Sequence, residues 1–321
     1  MRRWYQTLDI DGVTFEDPGR KYSAFWNEGK WDNFIKPLLP KERQTFIEIG
    51  CNAGLFLKMA TDEGFKNVIG VERDRQIFGQ AQTFKNSIRG TYKLVHQQIG
   101  DNFEPEQLPV ADVILLSNVH YYFPIGVFSK LVDTLRGRCS HCIIVSAQAK
   151  RAKGNAFYDR DVVRGYFRDW QEEKIIEDLK IEDDPSPRKY MYGLSFKGSL
   201  VPIRMEEIYG HFWEASKSVE SRSYELAPAA KEFFELVLSN TPFNYEETLF
   251  YEYWMKREPK RMTPEKTRDW LIYKAELAKD IQKNGMKEPI YISSRGKFMD
   301  GLHRLIIANL LGYEHILART I

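Results

Sequence analysis

The sequence predicts an α/β fold, a mostly parallel sheet with crossover helices that closes in an antiparallel hairpin, and three features predict it. Short apolar runs alternate with amphipathic stretches from residue 46 onward, the first run opens into a glycine-bearing turn, and two strand-like runs flank the D-D-P-S-P of 183–187. Such alternation marks parallel strands, which need a crossover connection and cannot be joined by a tight turn. The runs at 46–49, 68–71, 93–97, 113–117 and 142–147 are read as strands, and 55–63, 76–89 and 127–135 as the helices between them. Beyond the fifth strand, 161–170 has a helical pattern, and 173–181 and 188–196 are placed to pair across the proline-bearing turn.

Residues 205–260 have helical and aromatic character, with Phe233, Phe234, Leu236 and Val237 marking one packed face. At Thr263-Pro264-Glu265 a threonine N-cap stands before a proline suited to the first helical position, so a new unit begins there. The chain is accordingly divided into a lid or cap segment at 1–40, an α/β domain at 41–200, a helical linker at 201–261 and a small C-terminal unit at 262–321.

The chain carries 47 basic and 45 acidic residues, so it lacks the long-range positive field expected of a protein that lives on nucleic-acid backbone. It has no apolar run near the ~18 residues needed to span a bilayer. Two arginines near the start are followed by no apolar segment, and the compartment expected is the cytoplasm. Of three cysteines, Cys139 and Cys142 form C-S-H-C before an apolar run with no second ligand pair at similar spacing. They are read as thiols at the mouth of a buried strand, with no metal site.

The chemistry concentrates at 46–56, F-I-E-I-G-C-N-A-G-L-F, an apolar strand running into a glycine turn and a helix. The position two after Gly50 is Asn52, which departs from the G-x-G-x-x-G of nicotinamide-dinucleotide sites. Twenty-two residues beyond Gly50, at the end of the next apolar run, stands Glu72, a carboxylate able to accept two hydroxyls. The fourth strand runs into S-N-V-H-Y-Y at 117–122, and ligands of open α/β sheets lie beyond the carboxyl ends of the strands.

Together these features resemble the E/D-x-G-x-x-x-G site of class I S-adenosylmethionine-dependent methyltransferases, a Rossmann-like fold. The resemblance implies S-adenosylmethionine as cofactor, with Glu48, Gly50, Asn52 and Gly54 around its methionine and ribose and Glu72 on the ribose hydroxyls. It places Ser117 near the methyl donor and Asp101 near the adenine, with Tyr22 and Trp26 in a segment closing over the cofactor. His120, Asn118 and Tyr121 are the candidate catalytic residues, His120 as general base or substrate orienter. For His120 a packed loop histidine is an equal reading, for Asp101 an exposed loop acid is the other reading, and for Tyr22 and Trp26 a helix stapled to the surface by its aromatics is the alternative.

A second informative stretch runs from N-G-M-K-E-P-I-Y-I at 284–292 to D-G-L-H-R at 300–304. A glycine at a strand-to-helix turn leaves backbone N–H groups free at the positive end of the helix, and His303 and Arg304 add donors suited to phosphate. The stretch resembles the ParB/sulfiredoxin-like fold, over residues 262–321 only. That resemblance implies a small α+β unit binding a nucleotide or phosphate, with magnesium where a nucleotide is held, through Asp300, Gly301, His303 and Arg304. Phosphoryl transfer by this unit is one reading; a helix-capping Asp300 with Arg304 paired to it is the other.

The readings that follow are a methyltransferase for a small-molecule or carbohydrate-type acceptor, phosphorylated or not, an RNA methyltransferase acting on tRNA, and a non-enzymatic cofactor-sensing regulator. The near-neutral charge favours the first over the second.

Overall fold

Parallel strands buried on both faces read as continuous apolar runs, and the runs at 46–49, 68–71, 113–117 and 142–147 do so. The computed structural model describes residues 8–10, 13–15, 29–97, 108–148, 159–180, 190–216 and 226–321. Its contacts divide the chain into one unit of Met1–Gln107 and Ala111–Ser199 and another of Leu108–Val110 and Leu200–Ile321.

In the first unit a short antiparallel pair, β1 (Leu8–Ile10) and β2 (Val13–Phe15), precedes a helical segment at Trp31–Ile35 and a 3₁₀ turn at Lys36–Leu38. There follow β3 (Thr45–Ile49), α1 (Leu55–Asp62), β4 (Asn67–Glu72), α2 (Arg75–Ser87), β5 (Lys93–His96), β6 (Ala111–Ser117), α3 (Ile125–Arg136) and β7 (Cys139–Gln148). The unit closes with α4 (Arg160–Tyr166) and the hairpin β8 (Gln171–Lys180) and β9 (Tyr190–Lys197). The sheet order is β5-β4-β3-β6-β7-β9-β8, with the first five strands parallel and β9 antiparallel to both neighbours. This is the α/β Rossmann-like architecture that the sequence predicts, and the strand order reverses between β3 and β6. The last parallel strand starts at Cys139 rather than at the apolar run, because Cys139 already pairs with Ala111.

Helix α3 buries Phe128, Leu131, Val132 and Leu135, the spacing of one helical face. On α1's side, Trp31 stacks on Phe56 with ring centres 5.9 Å apart and meets Phe46 at 6.3 Å. At the amino edge of the sheet the buried Asp112 carboxylate accepts the amides of Gln44 and Thr45 at 2.9 and 2.6 Å, fixing β3 against β6. A bulge at Glu173 in β8 turns that side chain to His141 Nε2 at 3.0 Å. Cys139 and Cys142 are buried in β7, and the Cys139 thiol donates to the Leu135 carbonyl at 3.3 Å.

The second unit has β10 (Val201–Arg204), α5 (Met205–Ser216), α6 (Leu226–Leu238), α7 (Leu249–Arg257), α8 (Pro264–Asn284), β11 (Ile290–Ile292), β12 (Phe298–Asp300), α9 (Leu302–Leu310) and β13 (His315–Thr320). Its sheet is ordered β10-β13-β11-β12, with only β11 and β13 parallel. Thr263 caps α8 as the sequence predicts, its hydroxyl accepting the Lys266 amide at 3.3 Å. Residues 201–261, read from the sequence as a linker, supply β10 and three helices to this unit. Phe233, Phe234 and Phe250 share one core with Leu271, Ile281, Leu305 and Ile316, because α6 buries an apolar face too wide to leave in water. Val110 belongs to the same core and donates its amide to the Met286 carbonyl at 2.7 Å. Among the described residues no helix is long and apolar enough to cross a membrane, and no cluster of His, Cys, Asp and Glu could hold a metal ion.

Candidate functional site

At the carboxyl end of β3 the backbone turns through Gly50, Asn52 and Gly54, all with positive φ of 76°, 54° and 90°. The amides of Gly50 and Cys51 both donate to the Val71 carbonyl, at 2.8 and 3.1 Å, which ties the turn to the end of β4. A Cβ on Gly50 would stand 2.5 Å from Val119 Cγ2, and one on Gly54 would stand 3.3 Å from Tyr92 Oη. A Cβ at either glycine would therefore meet the protein itself, Val119 or Tyr92. Gly50→Ala combines a left-handed φ with that overlap and is expected to cost about 1–3 kcal/mol. Thermal denaturation measures it, and a variant as stable as wild type would show that the β3 turn does not rest on Val119.

Glu72 closes the turn from above. Its Oε2 accepts the Asn52 amide at 3.0 Å and its Oε1 the Asp74 amide at 2.9 Å, leaving each oxygen a second lone pair. Glu48, two residues before Gly50, is buried, and burial pushes its carboxyl up to about 8, with Lys30 drawing it down and Glu72 adding to the rise. Among the described residues, three buried polar atoms around this turn lack hydrogen-bond partners: Glu48 Oε2, Asn52 Oδ1 and Tyr92 Oη. Lys30 is itself buried, its Nζ 5.6 Å from the Phe56 ring centre. Tyr92 belongs to no motif, and Lys30, which falls in the aromatic and basic segment at 20–32 ahead of the sheet, is given no role of its own by the sequence.

Beyond β6, Asn118 takes a left-handed φ of 52° and donates its amide to the Val145 carbonyl at 2.9 Å, while Ser117 is half-buried. His120 is fully buried, edge-on to Tyr121 at 5.3 Å and 6.1 Å from Phe128. That is the packed-histidine geometry. Tyr122 is 51 % exposed, and the Arg73 guanidinium lies over its ring at 5.6 Å. The structure thus brings Glu48, Gly50, Asn52, Gly54, Glu72, Ser117, Asn118, His120 and Tyr121 to the carboxyl edge of one sheet, where β3 and β6 part. Tyr22, Trp26 and Asp101 lie outside the described residues.

In the second unit Gly301 takes a φ of 101° at the start of α9, without a side-chain cap on the helix. Asp300 Oδ1 accepts the Gly301 amide at 2.7 Å, and among the described residues Arg304 makes no ion pair with it. The Arg304 guanidinium lies over Tyr291, 5.9 Å from the ring centre. Lys274 of α8 lies over Trp270 at 5.1 Å, and burial and then Arg304 hold its ammonium below the usual lysine range. His303 is enclosed by Phe234, Phe250 and Trp270 at 5.9, 5.8 and 5.6 Å. Burial, then Lys274 and Arg304, push it down to about 3, so the ring is neutral. His303 is thus an uncharged ring in an aromatic enclosure, and a second cation near Arg304 is Lys274, 30 residues earlier in the chain.

No family model matches the chain, and no curated protein matches it. Among solved structures it is similar to a protein of Pyrococcus horikoshii OT3, at 12 % identity and a TM-score of 0.43, over 54 % of this chain and 91 % of that one. It is similar to a SAM-dependent methyltransferase from Aquifex aeolicus at 16 % identity and a TM-score of 0.40, over 52 % and 92 %. It is also similar to the N-methyltransferase NodS from Bradyrhizobium japonicum WM9, at 15 % and 0.40, over 49 % and 86 %. Likeness this distant describes the path of the chain over half its length and carries no chemistry.

Proposed function

We propose that the first unit is an S-adenosylmethionine-dependent methyltransferase for a small-molecule or carbohydrate-type acceptor. The observation that carries this is the clasp of Glu72 over the glycine turn, beside three buried partnerless atoms, at the point where the strand order reverses. The residues fit the cofactor. Glu72 retains acceptor capacity for vicinal hydroxyls, Glu48 Oε2 can accept from an ammonium, and the Asn52 carbonyl and Tyr92 hydroxyl can serve the polar remainder. When bound, the cofactor supplies a methyl group already activated as a sulfonium, which leaves the protein to position the acceptor and exclude water.

In this reading Asn118 and Tyr121 border the acceptor, and His120, buried beneath Tyr121, orients the loop more than it abstracts a proton. The near-neutral charge of the chain suits such an acceptor better than an RNA. Calorimetric titration of the whole chain with S-adenosylhomocysteine tests the cofactor; absence of heat at any concentration up to millimolar would overturn the reading.

For the second unit we propose a phosphate-binding role, in keeping with the ParB/sulfiredoxin-like resemblance of 262–321 and supported by Arg304 and Lys274 beside the uncapped start of α9. Nucleoside di- and triphosphates with magnesium, and sugar phosphates, are the ligands to try. At 100 times its dissociation constant a ligand stabilises its target by about 2.7 kcal/mol, a readily measured thermal shift. Arg304→Ala is expected to abolish that shift. If no phosphate compound moves wild type, or the variant responds equally, the role is lost.

A further inference from the structure

We propose that a ligand bringing an ammonium group to the glycine turn drives a proton off Glu48 into solvent, so that Glu48 receives it as a carboxylate and affinity falls as proton activity rises. The inference rests on the reading that this turn takes S-adenosylmethionine. Its basis is geometric. Glu48 sits two residues before Gly50, inside the sheet, and its Oε2 is buried without any hydrogen-bond partner. A carboxylate there would forgo its hydration with only the charge of Lys30 to offset the loss, and burial outweighs that attraction, so the free protein holds the group protonated at neutral pH.

The charged and titratable groups around it come from three elements. Lys30, ahead of β3, favours ionisation; Glu72 at the end of β4 opposes it; and the buried Cys51 thiol in the turn is un-ionised, its proton held more tightly by burial first and then by Glu48 and Glu72. The balance is close enough for one added charge to reverse it, since burial and Lys30 together leave the group near 8. A cation at hydrogen-bonding distance typically raises a carboxyl's ionisation constant by a factor of about 10 to 1,000. On binding, the Glu48 O–H bond breaks, its proton passes to the buffer, and the freed oxygen accepts an N–H from the ammonium; no electrons change hands.

The test is calorimetry on the full chain with S-adenosylhomocysteine and with 5′-methylthioadenosine, which keeps the nucleoside and thioether but lacks the ammonium. Each is titrated in two buffers of different ionisation enthalpy. The amine-bearing ligand is expected to release between about 0.4 and 0.9 proton at pH 7, the spread set by that 10- to 1,000-fold range, and about 0.1 at pH 9, with affinity rising roughly 2- to 8-fold from pH 6 to pH 7. The methylthio compound is expected to release none. In Glu48→Gln the release disappears for both. Equal heats in the two buffers for S-adenosylhomocysteine, or equal release with both ligands, would overturn the inference, as would release that persists in Glu48→Gln. Should that variant not fold, the two ligands on wild type decide. Binding without proton release removes this inference alone, whereas no binding of either ligand removes the cofactor reading and the inference with it.

Discussion

Glu72→Ala is expected to weaken binding of S-adenosylmethionine by roughly 10- to 150-fold, the equivalent of about 1.5–3 kcal/mol for hydrogen bonds to a charged group. Two losses combine in that figure. The hydroxyl-accepting carboxylate goes, and the amides of Asn52 and Asp74 lose the oxygens that hold the turn at 3.0 and 2.9 Å. Glu72→Gln is expected to fare little better, because an amide offers one acceptor oxygen and sets an NH₂ against the other backbone N–H. Calorimetry at constant salt reads the effect, with the melting temperature as a companion. Wild-type affinity in the alanine variant would remove Glu72 from the cofactor site, whatever its part in holding the turn.

Acid is expected to destabilise the second unit through His303. Its folded value, pushed down to about 3, lies below the ordinary histidine value of about 6.5, so the unfolded chain takes up the proton first. Stability is therefore complete above about pH 6.5 and is lost as the pH falls toward 3, at about 1.4 kcal/mol per pH unit. His303→Phe keeps an aromatic ring among Phe234, Phe250 and Trp270 and removes the titration. Denaturant unfolding at pH 7 and pH 5, followed by the fluorescence of Trp254 and Trp270, compares the two proteins. Carboxylates contribute to acid unfolding in both, so the difference between their pH slopes is what counts. Identical slopes would mean that His303 already has access to water in the folded state.

The sheet was legible because burial on both faces leaves few alternatives to apolar residues in β3 and β6, and because Gly50 and Gly54 mark a backbone conformation that other residues rarely take. Glu72 was legible by its distance from that turn. What escaped was the part of the site that depends on approach between distant segments. Lys30 stands out only as part of the aromatic and basic segment at 20–32, and nothing there shows that it packs beside Glu48 and Phe56. Tyr92 likewise reads as an ordinary strand-flanking tyrosine. His303 and Lys274 show the same limit in another form, since a histidine beside an arginine after a glycine reads as a phosphate donor until the aromatics of α6, α7 and α8 enclose it. The helices at 226–257 were taken for a linker because periodicity tells which face is apolar and is silent about which partner covers it.

Val110 has a consequence for how this protein is made. The residues of Leu108–Val110 are synthesised well before the unit they complete, which otherwise begins at Leu200. On a ribosome the chain thus emits an orphan piece of the later domain first, and that domain cannot mature until its last strand, His315–Thr320, has left the exit tunnel. A fragment that starts at Leu200 and is expressed alone would be born without the buried valine and the amide that meets Met286, a missing keystone that no shift of the start within the residues after Val110 can restore.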